Sequence, residues 1–210
     1  MFQKITRKNL APFLSKYASS EKVLDVGSGG SSYGKYFPNR FTVDIDPKRK
    51  PDVIADAQSL PFRDGEFAMV LSTEMLEHVK DPRKAVSEMM RVLKKDGLLI
   101  LTTRFVYPIH DSPNDYWRYT KYGLQELFRE WTIVEIVSET KSFSALGALF
   151  QRMSFQGKYR GGKITKFFLL LSAFLLDHLN WLIVEEYGDI GRSSHEENIF
   201  STGLYVVVKK

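Results

Sequence analysis

The chain contains no cysteine. Neither a disulfide framework nor a thiolate metal centre can form, and a reducing, cytoplasmic setting is the simplest expectation. Long hydrophobic runs are missing too. The most apolar stretch, 167–176, has ten uncharged residues, whereas a membrane-spanning helix needs about twenty. Residues 1–20 carry Lys4, Arg7, Lys8 and Lys16 among scattered apolar residues. That pattern lacks the continuous apolar core and small-residue cleavage site of a secretory signal, and an amphipathic helix is expected there. Histidine is scarce: the four present are scattered without ligand spacing, so no metal centre is expected. Charge of one sign is not concentrated enough to point at nucleic acid. A formal +5 over 210 residues suits solubility, and no recognition motif accompanies it.

What is present is an alternation of apolar runs and helical patterns. Strands are expected at 22–26, 40–45, 52–55, 67–72, 98–102, 131–137 and 203–208. Pro82 opens a helix in which Ala85, Val86, Met89, Met90 and Leu93 recur at helical spacing. A second helix over 120–129 has Thr120 as its cap. Asp96-Gly97 is expected to turn the chain into the fifth strand. Strands separated by helices imply right-handed crossovers and a parallel sheet. The expectation is an α/β fold with a Rossmann-like, seven-stranded, mostly parallel sheet and helices on both faces. We read 1–210 as one domain, with a core over about 20–140, a helical insertion at 139–200 and the final strand at 203–208.

The first strand ends Val23-Leu24-Asp25-Val26-Gly27-Ser28-Gly29-Gly30. An apolar run that reaches an acid and then glycines reads as a buried strand opening onto a tight loop and a helix. Such loops leave backbone N–H groups bare at the carboxyl edge of a sheet, where nucleotide-like ligands bind. Asp44, about twenty residues on at the tip of the next strand, is placed to grip ribose hydroxyls. A pyrophosphate would want a glycine where Ser32 stands, which disfavours a nicotinamide cofactor.

Val-Leu-Asp-Val-Gly-Ser-Gly, Val-Asp-Ile-Asp (43–46), Ala-Asp-Ala-Gln-Ser-Leu-Pro-Phe (55–62) and the stretches 67–79 and 91–99 follow in order. Together they resemble the class I S-adenosylmethionine-dependent methyltransferases, in their small-molecule and quinone-type branch. The resemblance implies S-adenosylmethionine as cofactor. Asp25, Gly27, Ser28 and Gly29 would meet its methionine part and ribose, and Asp44 with Ile45 the ribose side. Asp56 and Ala57 would meet the adenine edge, and Ser72, Thr73 and Glu74 would line the methionine end. Ser28 replaces a common cysteine, and Ser31 stands where many members have a third glycine. Asp25 could equally brace the loop, Asp56 could be a plain loop acid, and Glu77-His78 reads first as helix-terminal packing.

Methyl transfer from a sulfonium relies on proximity and orientation, so a strong base is optional. The stretch 104–119 holds Tyr107, His110, Asp111, Asp115, Tyr116, Trp117, Arg118 and Tyr119. It is expected either to cover the acceptor as a lid or to bury its aromatics with Arg118 paired to an acid. In the lid reading His110 or Asp111 is the catalytic base, and Tyr107, Tyr116 and Trp117 contact the substrate. Segment 163–184 follows a basic cluster of Arg152, Lys158, Arg160, Lys163 and Lys166. It is expected to pack as a cap or oligomer contact, to wall a lipophilic pocket, or to lie peripherally on a membrane surface. The activity expected is in-line methylation of a small, lipophilic acceptor. A non-catalytic cofactor- or partner-binding protein and an RNA methyltransferase are the alternatives.

Overall fold

The computed structural model describes residues 4–30 and 33–210. They separate into two compact units. The first comprises Met1–Ala11, Phe105–Pro108 and Ser138–Gly203, and the second Pro12–Arg104, Ile109–Val137 and Leu204–Lys210.

The sheet has seven strands: β1 (Val23–Val26), β2 (Arg40–Asp44), β3 (Val53–Ile54), β4 (Phe67–Thr73), β5 (Leu93–Arg104), β6 (Thr132–Ser138) and β9 (Gly203–Lys209). Their order is β3-β2-β1-β4-β5-β9-β6. The pairs β1–β2, β1–β4, β2–β3 and β4–β5 are parallel. Lys210 N–H bonds the Gly97 carbonyl while Phe105 N–H bonds that of Thr202, so β9 runs antiparallel to β5. Central strands of such a sheet are buried on both faces, which is why β1, β4 and β9 are mostly apolar apart from Asp25, Ser72, Thr73 and Lys209. At the sheet's end β6 alternates in exposure.

Short helices complete the second unit. α1 (Leu10–Lys16) falls within the expected N-terminal helix. α2 (Pro82–Val92) starts at Asp81, whose carboxylate accepts from Lys84 N–H, and buries Ala85, Val86, Met89 and Met90. α3 (Lys121–Leu127) is capped by Thr120, which accepts from Gly123 N–H at 3.0 Å.

Two local expectations are corrected. No α-helix follows the glycine turn among the described residues: 33–39 form turns before β2 begins. Gly34 and Pro38 interrupt so short a connection, so helical hydrogen bonds have no room to propagate. Asp96-Gly97 does not precede the fifth strand but lies inside it. Pairing jumps from Phe67–Leu93 to Met69–Leu98, and Asp96 takes φ of 64° in the resulting irregularity.

In the first unit α4 (Ser142–Gln156) packs on α5 (Lys163–Asp177). A Cβ on Gly147 would stand 2.7 Å from the Ala173 carbonyl, so glycine is what allows the two backbones to approach. Asn180 Oδ1 accepts from Phe143 and Ser144 N–H at the start of α4. Ser144 Oγ donates to Asp177. A short antiparallel pair, β7 (Glu186–Tyr187) and β8 (His195–Glu196), lies in the same unit.

Candidate active site

The carboxyl edge of β1 and β2 is stitched by backbone. Gly27 and Ser28 N–H both donate to the Val43 carbonyl, at 2.8 and 3.2 Å. Gly29 N–H donates to Asp44 Oδ2 at 2.8 Å, and Asp46 N–H to Asp44 Oδ1 at 2.9 Å. Glycine turn and acid are thus in direct contact. Gly27 has φ of 71°, and a Cβ there would meet Met75 Cγ at 2.2 Å. Gly30, at φ of 77°, faces open space, which makes its backbone a cradle rather than a packed turn. Ser31 and Ser32, on which the third-glycine departure and the dinucleotide argument rest, lie outside the described residues.

Around the turn the expected residues gather unequally. Asp25 is fully buried in β1, its Oδ2 held 3.0 Å from Arg40 Nη1, and its Oδ1 has no hydrogen-bond partner. Burial outweighs the neighbouring guanidinium and pushes its pKa up to about 7. Ile45 projects beside Asp44 and is 68% exposed. Asp56 accepts from both the backbone and the side chain of Gln58, with Ala57 between them half-buried. At the end of β4 the Ser72 hydroxyl is buried without a partner, and Thr73 Oγ1 lies 3.4 Å from Tyr33 OH. Glu74 adopts φ of 52°, pairs with Arg104 and anchors its N–H on Thr102.

Beyond Glu74 the chain makes a tight turn over Leu76–His78. The segment 109–119 docks on it: Tyr116 and Trp117 N–H donate to the Glu77 carbonyl, and Trp117 Nε1 donates to that of Val79. Tyr116 and Trp117 keep exposed ring surface, while Tyr119 is buried and its hydroxyl pKa raised above the usual range by burial. Arg118 grips Asp115 through two nitrogens, at 2.6 and 2.7 Å, which holds that carboxyl well below the usual range. His110 lies against this pair, Nδ1 3.2 Å from Asp115 Oδ2 and Nε2 4.0 Å from Glu77 Oε1. Burial lowers the His110 pKa and raises that of Glu77. Asp111 stays exposed at a turn. Tyr107 belongs to the first unit, where Arg152 lies 5.0 Å above its ring.

The histidines are therefore not all scattered. His78 and His110, far apart in the chain, meet edge to face with ring centroids 4.7 Å apart. Sequence spacing missed Glu77, His78, Asp115 and Arg118 as one group. The density of aromatic and ionisable residues over 104–119 was the signal that pointed to the loop.

A glycine turn after β1, an acid at the tip of β2 and an antiparallel strand between β5 and β6 define the class I, Rossmann-like methyltransferase fold. Residues 24–101 match the profile described as a methyltransferase domain. It is similar to tocopherol O-methyltransferase of Arabidopsis thaliana, 32% identical over 104 residues covering 40% of this chain and 30% of that one. It is also similar to the demethylmenaquinone methyltransferase of Paenarthrobacter aurescens, 32% identical over 51% of this chain and 47% of that one. In both cases the match spans less than half of the relative. A methyltransferase-fold structure from Bacillus halodurans superposes with TM-score 0.61 at 20% identity, covering 95% of this chain and 97% of its own.

Proposed function

We propose that the chain binds S-adenosylmethionine and transfers its methyl group to a small acceptor. The observation that carries this reading is the 2.8 Å contact between Gly29 N–H and the Asp44 carboxylate at the carboxyl edge of the parallel sheet. The residues fit the cofactor. Each Asp44 oxygen accepts one backbone N–H, and a carboxylate has lone pairs to spare for two ribose hydroxyls. The exposed face of Ile45 suits an adenine ring, with Asp56 and Ala57 at its edge. The open backbone at Gly30 and the buried Ser72 hydroxyl suit the polar methionine end. Bound there, the cofactor supplies a methyl group already activated by sulfonium. The protein's part is to hold the acceptor in line, with the segment 109–119 excluding water and His110 beside the acceptor.

The acceptor we infer is lipophilic. An apolar groove of about 390 Å³ in the first unit, lined by Phe143, Leu146, Ile183, Ile199 and Phe200, supports that choice. So does an exposed apolar face on α5, described below. The names of the two relatives, a tocopherol and a demethylmenaquinone methyltransferase, agree with it.

Calorimetric titration tests the cofactor. S-adenosylmethionine and its demethylated product should bind one per chain, and NAD should not. Asp44→Ala should weaken both by tenfold or more, since it removes a charge-assisted contact worth about 1.5–3 kcal/mol. Equal affinity in the variant, or preference for NAD, overturns the reading.

A further inference from the structure

We propose that Glu77, His78 and His110 form a binding site for a divalent transition-metal ion of the zinc or cobalt type. One ligand atom from each lies within 4.8 Å of the other two. Glu77 and His78 follow β4 and His110 follows β5, so the three meet at the same sheet edge as the glycine turn.

The surroundings are those of a built site. His78 Nδ1 sits 2.6 Å from the Asn114 carbonyl, an acceptor, which assigns the proton to Nδ1 and leaves the Nε2 lone pair for a ligand role. His110 Nδ1 faces Asp115, and Asp115 is itself fixed by Arg118 and by the His110 backbone N–H. The carbonyl behind His78 is the arrangement that fixes the tautomer of metal-binding histidines, and the Asp115 carboxylate lies 3.2 Å from His110 Nδ1. Glu77 supplies the independent sign of a ligand. Its Oε2 accepts from Thr103 at 2.9 Å, whereas Oε1 is buried with no hydrogen-bond partner and points to His110 Nε2. A carboxylate oxygen with no hydrogen bond in a closed interior is costly, and a cation at Oε1 would offset that cost alongside the more distant field of Arg104. The guanidinium of Arg104 is paired with Glu74.

Two imidazole nitrogens and one carboxylate oxygen suit zinc, cobalt, iron or manganese, not calcium or magnesium. Ligands at about 2.1 Å from a tetrahedral ion are roughly 3.4 Å apart. The ligand atoms, 4.0 Å apart for Nε2 and Oε1 and within 4.8 Å overall, would have to draw together by up to about 1.4 Å on binding. Three protein ligands leave a fourth position open, as in catalytic and unlike closed structural sites. That position would take an oxygen of the acceptor, a role that rests on the methyl-transfer reading, whereas the metal site itself does not.

The test uses tag-free protein dialysed against chelator. Titration with Co²⁺, read by visible absorption, and with Zn²⁺, read by calorimetry, should give one ion per chain. His78→Gln and His110→Gln should each weaken binding at least tenfold. Asp115→Asn, behind His110, should weaken it less. Circular dichroism and S-adenosylmethionine titration of the same variants separate misfolding from ligand loss. Histidine variants that fold and bind as the parent does, or no stoichiometric ion, overturn the site. A parent that binds Co²⁺ but not S-adenosylmethionine overturns the methyl-donor reading and leaves this one standing.

Discussion

Asp25 sits at the centre of β1 with no exposed surface and a pKa pushed to about 7 by burial, against the pull of Arg40. A carboxyl raised on folding stabilises the native state below its unfolded pKa. That contribution is lost as pH rises toward the folded value. Between about pH 5 and pH 8 the protein should therefore lose on the order of 2–3 kcal/mol through Asp25. Glu77, raised by burial as well, acts with the same sign. Thermal melts of Asp25→Asn across that range should be flatter than those of the parent, though not flat. A variant as pH-dependent as the parent would show that Asp25 does not change its protonation differently in the folded and unfolded chain over that range. Among the site residues, those legible in the sequence were local or one crossover apart: Gly27, Gly29 and Asp44 follow a fixed spacing because adjacent parallel strands end together. Glu77 and His110 were not legible as partners, because only the β4–β5 pairing brings their loops side by side.

Helix α5 shows what a close neighbour does to an apolar element. The buried face of α4 includes Ser144, Ala145, Gly147 and Ala148, with Gln151 and Ser154 further along it. A face that small lets the α5 backbone approach and leaves its large side chains outside. Of α5 only Ala173 is fully buried, packed with Ile5 and Ala148. Gly147→Val should force the helices apart and destabilise the protein by about 1–3 kcal/mol. Chemical denaturation monitored by helix content checks it, and an unchanged midpoint would mean that the close contact carries no load. The helices themselves were readable where caps mark them, as at Pro82 and Thr120. The helix expected after β1, from an apolar run ending in an acid and glycines, is absent among the described residues, where Gly34 and Pro38 cut the connection. The extent of β5 failed because Asp-Gly reads as a turn whether it precedes a strand or interrupts one.

Across the whole chain the two units draw on interleaved segments. The helical insertion expected at 139–200 overlaps Ser138–Gly203, the longest segment of the first unit. The rest depends on contacts between residues far apart in number. The net charge of +5 was equally mute about location, yet its distribution carries an argument. Ile164, Phe167, Phe168, Leu171, Phe174 and Leu175 recur at helical spacing and are all exposed on α5. Trp181 and Val184 beyond it are exposed as well. No helix among the described residues is long and apolar enough to cross a membrane. An apolar stripe with Lys158, Arg160, Lys163 and Lys166 at its start has the composition of helices that lie flat on anionic lipid, and lipid binding is the property to test. Each basic residue near such a surface contributes about 1 kcal/mol. Vesicles containing phosphatidylglycerol should therefore co-sediment the protein at low salt and release it as salt rises, while purely zwitterionic vesicles hold it weakly. Lys163→Glu with Lys166→Glu should reduce binding at least tenfold, and Phe167→Ser with Phe168→Ser should reduce it without changing the salt dependence. Equal partition of all three proteins would assign the stripe to a second copy of the chain, and ultracentrifugation of the same samples would then show a dimer.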